Sequence, residues 1–100
     1  MLAQPLPLVL GADLSGIVAA AGAEVTSFDA GDDVFGVTNA RFTGAYAEYA
    51  LAEAGMITRK PPRMSHVEAA SVPVVASTAW QMLFNHAQIG AGTLVLVDRL

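Results

Sequence analysis

Cysteine is absent from the 100 residues. Its absence excludes disulfides, thiolate nucleophiles, iron–sulfur clusters and any zinc site with a cysteine ligand. It is compatible with a reducing compartment, and a cytoplasmic location is the expectation. Charge is scarce as well. Charged residues make up 14% of the chain, with five Lys and Arg against nine Asp and Glu, a net charge of −4. That balance disfavours a phosphate-backbone partner, so no nucleic acid is expected. Long apolar runs are missing too. The longest, Ser71–Ala79, is broken by Pro73 and carries Ser71, Ser77 and Thr78, well short of the roughly 18 apolar residues a membrane helix requires. The opening Met-Leu-Ala-Gln-Pro has neither the basic stretch nor the apolar stretch of a secretory signal.

What is present is apolar. Hydrophobic residues make up 54% and mean hydropathy is +0.50, which excludes the disordered class. One hundred residues allow one modest core. The charges divide the chain. Up to Gly55 there are seven acids and a single base, Arg41; beyond it there are four bases and two acids. The pattern predicts two differently built portions, residues 1–62 and residues 63–100.

The first portion reads as β. Pro5 and Pro7 give an extended opening segment or edge strand. Strands are predicted over Ser15–Ala21, Val25–Phe28 and Asp33–Val37, with the Asp29-Ala30-Gly31-Asp32 turn between the last two. Ala45–Leu51 alternates, with Tyr46 and Tyr49 on opposite faces, and predicts a half-buried strand. Met56-Ile57-Thr58 gives one more. Short strands at roughly 8–12-residue spacing point to a sandwich or barrel.

After Pro62 the period changes. Ser65-His66-Val67-Glu68 fits a reciprocal capping box, so a helix starts at His66 and Pro73 ends or bends it. A second helix is predicted over 74–86, with Val75, Ala79, Met82 and Leu83 on one stripe and Gly90 and Gly92 as stop signals. Thr93–Val97 is an apolar run of the kind found in a doubly buried parallel strand. A strand of that kind needs neighbours on both sides, so the run is expected to open a second domain.

Four segments in order resemble the medium-chain dehydrogenase/reductase superfamily, its zinc-independent quinone oxidoreductase branch above all: Leu8–Val18, Val25–Gly36, Gly44–Tyr49 and Ala69–Trp80. The resemblance implies a mainly β fold with α: a partial GroES-like barrel over 1–62, then linking helices and the first strand of a truncated Rossmann domain over 63–100. It implies descent from an NADPH-dependent reductase of quinones or activated double bonds, acting on a small-molecule substrate, with Thr78 near the nicotinamide ring as a cofactor-binding residue. Zinc-dependent relatives have a His-Glu pair where this chain has Ala12 and Asp13. Alanine cannot ligate a metal, so no metal site is expected, and alcohol oxidation loses its Lewis acid. The phosphate-binding glycine turn should follow Val97, where the residues are Asp98-Arg99-Leu100. The chain is therefore expected to be the middle portion of a reductase, inactive alone. Two alternatives stay open: a non-catalytic barrel module that binds a partner strand or forms a homo-oligomer, and an enoyl-reductase portion of a multifunctional synthase.

Individual residues carry paired readings. Asp13 is either a pocket-lining carboxylate or a turn residue bonding local amides. Thr78 is either a cofactor contact or a hydroxyl bonding its own helix. Asp32 and Asp33 should point to opposite faces and sit in a solvated turn. Trp80 and Phe84, one turn apart, read as core. His66 and His86 have no neighbouring carboxylate in sequence and read as a first-turn residue and a C-terminal cation. Arg59, Lys60 and Arg63 read as either a phosphate attractor or a solvated inter-domain turn. No residue is assigned a catalytic role.

Overall fold

The computed structural model describes residues 6–98. It consists of a three-stranded antiparallel sheet in the order β1 (Asp13–Ile17), β2 (Asp33–Val37), β3 (Ile57–Arg59), followed by α1 (His66–Ala70) and α2 (Pro73–Trp80). β2 is central. It pairs with β1 from Asp13↔Val37 to Ile17↔Asp33, and with β3 from Val34↔Arg59 to Gly36↔Ile57. The register sorts the side chains by alternation. Asp13, Ser15, Ile17, Asp33, Phe35, Val37 and Thr58 share one face; Leu14, Val34, Ile57 and Arg59 share the other.

The core is small. Phe28, Val34, Ala69 and Pro73 are buried apolar residues among those described. Thr38 is fully enclosed and fully satisfied: its N–H donates to Ala12 O, its hydroxyl to Thr43 O at 2.7 Å, and its carbonyl accepts from Glu53 N. Asn39 organises the loop that follows, its Oδ1 accepting from Arg41 N and its Nδ2 donating to Thr43 O.

Several expectations shift. The first strand begins at Asp13 and ends at Ile17 rather than spanning Ser15–Ala21; Val18 closes the hairpin with bonds to Asp32 and Gly31. Residues 25–28 form no strand, and Phe28 instead packs beneath the Arg59 guanidinium, 5.7 Å from the ring centroid. Residues 45–51 are irregular. Gly44, Ala45 and Tyr46 donate to Val9, Gly11 and Leu10, but beyond Ala47 the backbone has no strand to meet. A period-two pattern becomes sheet only where a partner backbone lies alongside. The same reason leaves Thr93–Val97 outside any strand, with Leu94 97% and Leu96 92% exposed.

The helices follow the pattern closely. The Ser65–Glu68 box closes in both directions. α1 stops at Ala70, and Pro73 occupies the first turn of α2, where its missing N–H costs nothing. α2 continues as a π-helix over Gln81–His86, with Ala87 N reaching Met82 O. It terminates at Gln88, which takes the left-handed conformation, ahead of the predicted Gly90. His86 sits in the last turn as expected. Trp80 and Phe84 stack at 4.4 Å and remain exposed, so they pair with each other rather than filling a core.

Candidate functional site

One face of the sheet receives both helices, and polar side chains make the joins. Asp13 Oδ1 accepts from Val74 N at 3.0 Å, tying β1 to the first turn of α2 across 61 residues of sequence. The carboxylate thus bonds a distant amide, where a local turn was one of the two readings. Ser15 Oγ lies 2.6 Å from His66 Nδ1, and His66 Nε2 lies 3.3 Å from Asp33 Oδ1. His66 is therefore a first-turn residue, but one clasped by two strands; its carboxylate neighbour is invisible in sequence because 33 positions separate them. The order Ser–His–Asp is that of a hydrolytic relay. Here Ser15 borders the larger of the two clefts described below, but His66 and Asp33 line neither and Asp33 is half-exposed, so the trio fastens α1 to the sheet.

Asp32 and Asp33 diverge as predicted. Asp32 accepts from Asp29 N at 2.8 Å and pairs with Arg59 at 2.9 Å. The Asp29 amide first, and the Arg59 guanidinium after it, hold the Asp32 carboxyl below the usual aspartate value. Glu68 is likewise held low, chiefly by the Ser65 backbone N–H. Of the basic trio, Arg59 is engaged by Asp32 and Ser27 O, and Lys60 by the carbonyls of Pro61 and Met64. Arg59 is thus tied to the 27–32 loop and Lys60 to its own turn.

Two clefts flank the sheet. The larger, about 500 Å³, is bordered by Leu14, Phe28, Val34, Tyr49, Leu51 and Ile57. The smaller, about 390 Å³, lies between β2, β3 and α2, bordered by Phe35, Gly36, Met56, Thr58, Pro73 and Ser77. Thr78 stands on α2 immediately after Ser77 and is exposed; it lines neither cleft. No group of three or more His, Asp or Glu side chains capable of holding a metal occurs among the described residues, and none of their helices is long and apolar enough to cross a membrane.

A short antiparallel sheet whose one face carries a capped helix and a proline-initiated second helix defines a class: the GroES-like portion of a dehydrogenase together with the helices that follow it. Residues 1–62 match the alcohol dehydrogenase GroES-like domain family, and the chain belongs to it, within the medium-chain dehydrogenase/reductase superfamily. Among curated relatives, the chain is 39% identical over 89 residues to the chloroplastic quinone-oxidoreductase homolog of Spinacia oleracea, covering 89% of this chain and 27% of that protein. It is 38% identical over 79 residues to a mitochondrial NAD(P)H oxidoreductase of Danio rerio, covering 79% and 20%. Among solved structures, the quinone oxidoreductase from Coxiella burnetii superposes with a TM-score of 0.81 at 36% identity, over 87% of this chain and 27% of that one. A protein of Rhizobium etli described as a putative zinc-dependent alcohol dehydrogenase superposes at 0.71 with 38% identity, over 78% and 23%. The chain thus spans about a quarter of the length of the proteins it matches.

Proposed function

We propose that this chain is part of an NADPH-dependent, zinc-independent oxidoreductase acting on quinones or other activated double bonds. The observation that supports it best is the likeness, over nearly the whole chain, to a relative named for quinone oxidoreduction. Ala12 at the expected metal-ligand position argues for the zinc-independent half of the reading, against the zinc-dependent description of the Rhizobium neighbour. NADPH would supply the hydride. The α2 surface around Thr78 is where this chain would meet the nicotinamide end, and the boundary near Pro62 would separate barrel from nucleotide-binding portion. A cytoplasmic location belongs to the proposal, although the spinach and zebrafish relatives are named as chloroplastic and mitochondrial.

The test is NADPH oxidation by the natural gene product, with a quinone or a conjugated enone as acceptor, before and after exhaustive chelation. Chelator-resistant turnover is expected; alcohol oxidation that chelation abolishes would overturn the reading. The 100-residue chain alone, about a quarter of the length of its relatives, is expected to be silent, and sub-millimolar NADPH binding in a fluorescence titration would contradict that. A second reading, self-association as a homo-oligomer, is favoured by the unladdered and exposed Leu94 and Leu96. Sedimentation discriminates: concentration-dependent growth in mass supports it, and a monomer at all concentrations removes it.

A further inference from the structure

The start of α2 lacks the usual means of capping itself. An α-helix leaves its first amides without intrahelical partners, and the residue before the helix normally supplies a side-chain oxygen. Here that residue is Val72, which has none, and the next, Pro73, has no N–H at all. The first donor that must be satisfied is Val74 N–H, and Asp13 Oδ1 accepts it at 3.0 Å. The cap is delivered from another element: Asp13 opens β1 and is held in register by pairing with Val37. A carboxylate at this end of a helix also meets the favourable end of its dipole.

The bond fixes more than one amide. Thr78 is four residues beyond Val74, one turn up the same helix face. Ser77, beside it, borders the cleft formed with Phe35, Gly36 and Thr58 of the sheet. Wherever Asp13 holds Val74, the height of Thr78 above β1 and β2 is set.

We infer that Asp13 is the positioning residue of the α2 surface, a strand carboxylate that caps α2 in trans and thereby sets where Thr78 stands. As far as Thr78 meets a nicotinamide cofactor, this rests on the proposed function; the tether itself does not. Asp13 bonds no reacting group and acts through the helix. Its charge is also unnecessary for geometry, since an asparagine offers the same Oδ1 acceptor.

The experiment is amide hydrogen exchange by NMR on the 100-residue chain with the variants Asp13→Asn and Asp13→Ala. In the parent chain the Val74 amide should be protected from exchange by its bond to Asp13 Oδ1. In Asp13→Asn that protection should persist with the helix intact. In Asp13→Ala, exchange of the α2 amides should quicken on the order of fivefold, the size of a typical lost cap, while the Ala69 amide of α1 stays protected. A Val74 amide indifferent to both substitutions overturns the inference. In the natural gene product, Asp13→Ala should raise KM for NADPH with a smaller effect on kcat, and Asp13→Asn should restore it; equal loss in both variants would refute positioning through the acceptor. If the Val74 amide responds as stated and no NADPH turnover exists at all, the tether stands and the proposed activity alone fails.

Discussion

Gly36 shows how much a single residue can depend on its neighbours. Its φ of +155° is one that L side chains rarely adopt, and a Cβ there would collide with Met56 O and Ile57 Cα, where β3 arrives against β2. Gly36→Ala should therefore destabilise the chain by roughly 1–3 kcal/mol, read from urea unfolding. Gly16→Ala, at a position with ordinary φ and open space, is the control and should be neutral or slightly stabilising. The glycine was legible in sequence only as part of a motif. The close approach that demands it comes from residues 20 positions further along. Ser65 and Glu68 are the opposite case. Their box is formed within one turn, so the spacing alone announced it, and the structure closes it as read.

At the scale of elements, α1 is held by its own cap and by the clasp of His66 on Ser15 and Asp33. These two devices respond differently to perturbation. The Glu68 carboxyl is depressed in the folded chain, mainly by the Ser65 N–H. A depressed folded value means that its contribution is present above the unfolded value and lost as pH falls through the folded one. Stability should accordingly decline with acid below about 4.5, the unperturbed value. Glu68→Gln should flatten part of that acid limb in urea midpoints taken from pH 3 to 7. Asp32, held low by the Asp29 amide and Arg59, supplies the part that remains. An acid limb unchanged in Glu68→Gln would contradict the role of the box. His66→Ala removes the clasp and leaves the box. It should speed amide exchange in α1 while α2, tethered separately through Asp13, keeps its protection; loosening of both helices together would show that the two joins are not independent.

For the whole molecule the relevant quantities are extent and exposed surface. The radius of gyration is 15.9 Å, against about 13 Å for a compact 100-residue domain. The accessible surface is 8079 Å², against about 5,400 Å² for a folded monomer of this mass. Much of the excess is apolar, at Leu51, Val67, Trp80, Leu94 and Leu96. Such a surface should bind a hydrophobic dye strongly under native conditions, with fluorescence falling as concentration rises if self-association covers it. Weak dye binding by a monomer would mean that the chain in solution is more compact than described. The sequence by itself determined the capped start of α1, a second helix after Pro73, the turn at Asp29–Asp32 and the strand over Asp33–Val37, because each rests on contacts within a few residues or on a period that one strand or helix carries alone; the class came from the resemblance of four segments, and that Pro73 opens α2 and that β2 is central came from the structure. Only the tertiary structure decided that Asp13 caps α2, that Ser15 and Asp33 clasp His66, and that the alternating 45–51 and apolar 93–97 stay outside the sheet. The reason is common to all of these: a hydrogen bond between distant segments, or its absence, depends on which backbone arrives alongside, and periodicity within one segment carries no information about its partner.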